Sequence, residues 1–410
     1  MKFQPVRGTH DLYSYELAKY RCLEEVIRSL AKIYGFNEII TPIFEHTELF
    51  KKPLGQHSDI VLKEMYTFKD RNNSSLTLRP EYTTPMIRAA ISNSLLEKIP
   101  KKFYGIGPMF RRERPQKGRY RQFNQINFEI LGSHDVAADV ELILLADDIL
   151  KNLFPNKKIL LQLNSLGDND TLKIYKENLS LYYEKYKNKL SDESRAKIHT
   201  NPLRILDSKK PQDLEINNNA PRIYNFYSEN AKIKFDNLQT LLKDAPIDFE
   251  VNPKLVRGLD YYCHTVFEFK SDDLGTQDTL IGGGRYDGLT KLLGGPDIPG
   301  VGWAGGVERI IMLMQNNIKI EKKVYLVLIN ESFKSYGLRL INLLRKNKIP
   351  VFFDYKYNLK KSLSNANHLN SEYAIIIGED EIKNNTCTIK NLYKNSQKTV
   401  AFEQVVKTLS

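Results

Sequence analysis

Apolar residues along this chain recur at two different periods, and the changes between them divide it into elements. Leu23, Val26, Ile27, Leu30 and Ile33 recur at helical spacing, which predicts a helix that Gly35 ends. The next stretch, NEIITPIFE, predicts a strand, and Pro42 within it marks an edge or an interface position. Residues 65–68 and 76–78 predict two further strands around a turn at Asn72 and Asn73. Thr84 and Pro85 predict a helix start, with Thr84 as the cap and Pro85 at the first position. Glu81 then sits at a strand-to-helix corner, where a lone glutamate is more often surface than functional.

Residues 103–131 read FYGIGPMFRRERPQKGRYRQFNQINFEIL. An apolar run, a basic loop and an alternating run predict a β-hairpin with a long tip. In the outgoing strand Ile126, Phe128 and Ile130 share one face and belong in a core. Phe123, Gln125, Asn127 and Glu129 share the other. The loop carries six cations, Arg111, Arg112, Arg114, Lys117, Arg119 and Arg121, against one acid, Glu113. A solvated basic loop on an edge hairpin is the bland alternative.

From about 167 to 246 Tyr, Lys, Glu and Asn dominate, with helical patterns such as IYKENLSLYYEKY. This predicts a helical insertion, either a spacer or a contact for RNA. FEVNPKLVRGLDYYCHTVFEFK resumes the sheet, and Gly258 permits a kink. Arg257 in a run destined for burial is costly unless it meets an anion. Gly282 to Gly284 let a backbone lie against a ligand, although such a run by itself favours a tight turn. GVGWAGGVERI enters a helix carrying Arg309. After a linker near 316–323, the runs VYLVLI, PVFFDY and YAIIIG alternate with helical stretches at 333–345 and 359–369. That order predicts a parallel or mixed sheet with right-handed crossovers. CTIKNL adds a strand and residues 403–409 a final helix. The expected domains are 1–322 and 323–410.

Composition narrows the class. A hydrophobic content of 41% in 410 residues can build more than one core. The opening residues, MKFQPVRGTHDL, lack a signal peptide's apolar stretch, so a cytoplasmic location is expected, away from any membrane. Cys22, Cys263 and Cys387 lie far apart, and the seven histidines show no ligand spacing. Neither a disulfide scaffold nor a protein-bound metal is expected. A net charge of +12 points to a polyanionic partner.

The hairpin tip RRERPQKGRYRQF resembles motif 2 of the class II aminoacyl-tRNA synthetases, in the version found in histidyl-tRNA synthetases. LTLRPE followed by Thr83 is similar to that family's amino-acid-binding element, with Tyr82 where a small residue often stands. LVRGLDYY followed by TVFE is similar to a signature of histidyl-tRNA synthetases and their near relatives. NPLRILDSK within the insertion also resembles the family. GVGWAGGVERI resembles motif 3, the first helix with NEIITPIFE resembles motif 1, and the last domain resembles an anticodon-binding domain. The resemblance spans nearly the whole chain, with its motifs in the expected order. It implies an α+β fold: a class II synthetase catalytic domain, its mixed, mostly antiparallel sheet flanked by helices, with the insertion and a C-terminal α/β anticodon-binding domain. It also implies a homodimer acting on L-histidine, ATP with its bound Mg2+, and tRNA(His). Two rivals are weighed against it. Catalytically inactive relatives serve as regulatory subunits of histidine biosynthesis, but typically lack parts of the active site and the C-terminal domain. A plain RNA-binding protein accounts for the basic hairpin but not for Glu81, Glu129 or Arg257.

The resemblance also assigns roles. Arg257 and Arg111 are the catalytic cations at the reacting phosphate, and Arg111, Arg119, Arg309 and Glu113 bind ATP. Glu129 and Tyr262 take the imidazole, while Glu81, Thr83 and Gln125 hold the α-amino group. Tyr82 and Tyr261 complete the histidine pocket. Arg114, Gln116, Lys117 and Arg121 meet the tRNA acceptor end. The chemistry agrees with such a set. Neutral imidazole offers one donor and one acceptor, so a selective pocket needs a carboxylate at one nitrogen and a hydroxyl at the other. A salt bridge to a hairpin arginine is the alternative for Glu129.

Overall fold

The computed structural model describes residues 3–55, 58–116, 118–275, 278–314 and 324–409. Lys117 and the linker near 316–323 lie outside the described residues. The chain divides into two compact units, Met1–Asn316 and Asn317–Ser410.

The strands of the first unit are β1 (Asn37–Glu38), β2 (Phe44–His46), β3 (Tyr66–Lys69), β4 (Ser75–Leu78), β5 (Lys101–Phe110), β6 (Gln122–Leu131), β7 (Leu160–Ser165), β8 (Phe249–Val251), β9 (Cys263–Lys270), β10 (Thr279–Arg285) and β11 (Gly300–Gly306). Eight of them form one sheet in the order β1-β5-β6-β11-β10-β9-β7-β8. Its inner pairs are antiparallel, and the outermost pair at each end is parallel. This is the mixed, mostly antiparallel sheet that was expected. The hairpin β5–β6 lies inside it, paired from Lys101↔Leu131 to Phe110↔Gln122.

Alternation in β6 separates two environments. Ile126, Phe128 and Ile130 are buried, and Phe128 packs on Phe36, Tyr104 and Trp303. The Trp303 indole donates to the Leu142 carbonyl in helix Ala137–Leu153, which ties helix to sheet at 3.0 Å. The opposite face of β6 meets small residues. Gln125 pairs with Gly306, Asn127 with Ala304 and Glu129 with Gly302. Ala304 in turn pairs with Gly282, and Gly282 with Glu268. Directly paired residues point to the same side, so a strip of glycine and alanine leaves a hollow above the sheet.

Three sequence expectations fail here for identifiable reasons. NEIITPIFE is not one strand but two. β1 joins the large sheet, while β2 joins a separate three-stranded sheet in the order β2-β4-β3. Pro42 has no N–H for a ladder, and the Thr41 and Pro42 carbonyls accept from buried Arg79 at 2.9 and 3.4 Å. LVRGLDYY also leaves the sheet. β8 lies on one side of β7 and β9 on the other, so residues 252–262 must cross the end of β7 and cannot extend a ladder. Gly282, Gly283 and Gly284 form no turn, for they stand inside β10 with a strand on either side.

Between β7 and β8 the described chain is helical, with Asn169–Lys185 and Glu229–Asp244 the longest elements. Tyr175, Leu179 and Tyr183 recur at helical spacing and are buried in the same core as Tyr262 and Tyr286. Asp168 and Ser228 cap the two long helices, accepting from the backbone N–H three residues on.

The second unit holds β12 (Val324–Leu328), β13 (Val351–Phe353), β14 (Tyr373–Ile377), β15 (Thr386–Asn391) and β16 (Ser396–Ala401), in the order β13-β12-β14-β15-β16. The first three are parallel, with helices Lys334–Lys346 and Leu359–His368 between them, and the last two are antiparallel. β16 escapes the hydrophobic pattern because it is an exposed edge strand of mostly polar residues. The final helix is shorter than expected, Val405–Leu409.

Candidate active site

The hollow above the large sheet is a cavity of about 220 Å³. Glu81, Thr83, Arg111, Glu113, Arg119, Gln125, Arg257, Tyr261, Tyr262 and Arg309, gathered from four separate stretches, all line it. Glycine makes the floor fit its furniture. A side chain at Gly282 would collide with the Arg257 guanidinium, and one at Gly302 with the Glu129 carboxylate.

Glu81 and Glu129 shape one end. The helix after β4 runs from Thr83 to Ser92, so it starts before Thr84, and Pro85 lies in its first turn rather than at its first position. Its cap comes from Glu81, not Thr84. The Glu81 carboxylate accepts from the Thr83 and Thr84 N–H groups at 2.7 and 3.0 Å, and from the Thr84 hydroxyl. A carboxylate there answers the free N–H groups of the helix start. Burial raises its pKa, and the bonds from Thr84 and Thr83 oppose that rise.

Glu129 lies one layer deeper, buried under Thr83, and does not itself line the cavity. Its carboxyl accepts from the Thr83 hydroxyl at 2.7 Å and from the Tyr286 hydroxyl. Burial pushes its pKa up to about 8, the two hydroxyls pull against that, and the nearby Glu81 charge adds to it. Tyr286 thus joins Thr83 as a hydroxyl donor to Glu129, a contact the sequence does not assign. Tyr286 sits in the string IGGGRYDGL, where the glycines drew attention away from it. Gln125 Oε1 and Asn127 Oδ1 are also buried here, each without a hydrogen-bond partner. Tyr82 departs from expectation. It is fully buried, donates to the Ile39 carbonyl at 3.2 Å, lies under Arg79 and fills the space beside Gly105. It supports the wall from behind and does not line the cavity.

Arginines converge at the other end. Arg111 donates to the Pro80 carbonyl at 2.8 Å and lies over the Phe123 ring. Arg119 pairs with Glu113 at 3.2 Å, and Arg111 reaches the same carboxylate at 3.9 Å. Arg309 donates to the Thr279 carbonyl at 2.9 Å. Arg257 forms an ion pair with Glu268, itself held by the Thr279 hydroxyl at 3.0 Å. Burial lowers the Arg257 pKa, but Glu268 and the neighbouring tyrosines outweigh it and the net shift is upward. Arg257 therefore stays charged. The sequence assigns no role to Asn127, to Thr279 or to Glu268 at the end of TVFE, because only strand pairing sets Asn127 and Thr279 at the cavity and Glu268 on Arg257.

Arg114, Gln116 and Arg121 do not line the cavity. Arg114 and Gln116 are exposed on the hairpin tip, where Gln116 and Arg119 exchange backbone hydrogen bonds at 2.9 and 3.2 Å. Arg121 is half-buried, and its backbone N–H donates to the Gly8 carbonyl at 2.7 Å. Among the described residues no cluster of three or more His, Cys, Asp or Glu side chains is placed to hold a metal. No described helix is long and apolar enough to cross a membrane.

Comparison with known proteins agrees with this geometry. Residues 8–310 match a family model described as histidyl-tRNA synthetase, and residues 323–410 match an anticodon binding domain. A histidine–tRNA ligase of Wolbachia pipientis wMel is 44% identical over 409 residues, covering 100% of both chains. One from Gluconacetobacter diazotrophicus is 44% identical over 407 residues, covering 99% of this chain and 98% of its own. The crystal structure of apo S. aureus histidyl-tRNA synthetase superposes with a TM-score of 0.82 at 32% identity, with full coverage of both chains. Matched along its whole length by relatives of that one kind, and carrying both of their domains, the chain belongs to the histidyl-tRNA synthetase family.

Proposed function

We propose that the cavity joins L-histidine to the 3′ end of tRNA(His) in two steps, as a histidine–tRNA ligase. In the first, the histidine carboxylate attacks the α-phosphorus of ATP. The bond to the β-phosphate bridging oxygen breaks, pyrophosphate leaves, and histidyl-adenylate remains. In the second, a hydroxyl of the terminal tRNA ribose attacks the adenylate carbonyl and AMP leaves. Neither step needs a protein nucleophile. The barrier lies in charge repulsion and in alignment, so fixed cations and a rigid pocket supply the catalysis.

Arg111 and Arg257 meet the reacting phosphate, while Arg119 and Arg309 hold the rest of the triphosphate, with Glu113 orienting Arg119. Magnesium arrives bound to ATP. The orphaned acceptors of Gln125 and Asn127, beside Glu81 and Thr83, suit the α-amino group. Glu129, Tyr262 and Tyr286 suit the imidazole. Arg114, Gln116, Lys117 and Arg121 approach the tRNA acceptor end, and the second unit reads the anticodon. Exposed Ile40, Ile43 and Phe44, in the stretch resembling motif 1, suit contact with a second copy in a homodimer. A cytoplasmic location fits a reaction that consumes ATP and charges tRNA.

One observation carries this reading: buried acceptors without hydrogen-bond partners and the Glu81 carboxylate at one end of a single cavity, with four arginines at the other. That pattern matches a ligand with a cationic amine joined to one with a polyanionic tail. Full-length relatives carrying the ligase name favour it over a regulatory subunit. Pyrophosphate exchange into ATP, dependent on histidine, tests it. Absence of exchange, or better activation of another amino acid, overturns the assignment.

A further inference from the structure

Residues 256–262 carry Arg257, Tyr261 and Tyr262 yet belong to no strand or helix. Such a segment has no ladder to hold its backbone groups, and each needs another partner. Two side chains of the helical insertion provide contacts there. Arg204, in the one-turn helix Leu203–Leu206, donates through Nη2 to the Gly258 carbonyl. Asn201, just before that helix, donates through Nδ2 to Asp260 Oδ1 at 2.9 Å. They grip the loop on either side of Leu259, which lines the cavity.

The grip is anchored from behind. The Arg204 backbone N–H donates to the Asn201 carbonyl at 3.1 Å, so the two residues are fixed to each other. Ile205 and Leu206 are buried, and the Ile205 carbonyl accepts from Asn217 at 2.6 Å. Across the loop, Glu268 holds the head of Arg257 over Gly282. Arg257 is thus fixed at its guanidinium by the sheet, while the main chain next to it is fixed by the insertion.

We propose that Asn201 and Arg204 are positioning residues for adenylate formation. They hold loop 256–262 so that Arg257 stands at the reacting phosphate. Neither residue lines the cavity, so neither touches substrate. The proposal rests on the reading of the cavity given above. It makes the insertion part of the catalytic apparatus of the first step, before any tRNA is bound.

The test uses the full chain. Arg204→Ala lowers kcat for histidine-dependent pyrophosphate exchange by roughly tenfold to a hundredfold, as an ångström-scale misplacement does, with little change in the histidine KM. Arg204→Lys, which keeps one donor, recovers part of the rate. In an Arg257→Ala background the same Arg204→Ala change costs less than about twofold, because the group it positions is gone. Independent, multiplying losses overturn the proposal. Hydrogen exchange gives a readout that needs no activity: amides 258–262 exchange faster in Arg204→Ala while those of β6 stay protected. Unchanged protection of 258–262 also overturns it. Should the wild type show no histidine-dependent exchange, the ligase reading falls, and this second readout still judges the clamp. If Arg204→Ala fails to fold, Asn201→Ala removes one contact of the same grip and is expected to give the same pattern with a smaller loss.

Discussion

The two ends of the cavity handle charge in opposite ways. Glu81 and Glu129 are buried, bound by hydroxyls and backbone N–H groups, and form no ion pair among the described residues. Arg111, Arg119, Arg257 and Arg309 share the other end, and among the described residues only Glu113 and Glu268 form ion pairs with them. Several of their N–H groups go to carbonyls, which neutralise nothing. The difference separates recognition from chemistry. A desolvated site built on hydrogen bonds rejects ligands that leave its groups unpaired, by as much as ~10⁴-fold. A cluster of under-neutralised cations discriminates little but stabilises charge that develops on a phosphate.

The strongest way to break this contrast is at Arg257. Arg257→Ala is expected to lower adenylate formation by roughly a thousandfold, with the histidine KM within about threefold of the wild type. Arg257→Lys keeps the charge but loses the planar fork, and falls between the two. Pyrophosphate exchange measures both. A rate unchanged in Arg257→Ala removes the residue from the chemistry.

At the other end the effect is smaller and falls on binding. Glu129→Gln puts amide hydrogens against the Thr83 and Tyr286 hydroxyls that donate to the Glu129 carboxyl. A histidine KM higher by about a hundredfold is expected, some 3 kcal/mol, with the ATP KM preserved. Equal losses for both substrates would erase the distinction between the ends.

Titration permits a sharper test of the same carboxyl. Burial raises the Glu129 pKa from 4.5 to about 8, so between those values the folded chain keeps a proton that the unfolded chain releases. Stability from this group therefore falls as pH rises through that window. Glu129→Gln cannot titrate, so its Tm is expected to gain on the wild type by about 5 °C toward pH 8. Parallel Tm profiles across the window would mean that Glu129 is already ionised in the folded chain.

The smallest effect belongs to neither end. Gln116 is exposed on the hairpin tip. Gln116→Ala is expected to slow transfer to tRNA roughly fivefold, about 1 kcal/mol, and to leave pyrophosphate exchange within about twofold. If exchange falls as far as transfer, the tip serves the first step as well.

By itself the sequence determined the side-chain periods that depend only on neighbours along the chain. Alternation in FNQINFEIL put Ile126, Phe128 and Ile130 in the core and Gln125, Asn127 and Glu129 on the other face, because side chains on a strand alternate whatever lies around them. The apolar runs VYLVLI and YAIIIG were legible as buried strands for a similar reason. Tertiary structure alone decided what depends on partners distant in sequence. Whether three glycines make a turn or a strand was settled by β9 and β11 pairing on both sides of them. Whether LVRGLDYY stays in the sheet was settled by β8 and β9 lying on opposite sides of β7. Tyr286 reaches Glu129 across 157 positions, and Arg204 reaches Gly258 across 54. No local period encodes such contacts, for they arise only when burial of separate apolar faces brings the strands and the insertion together.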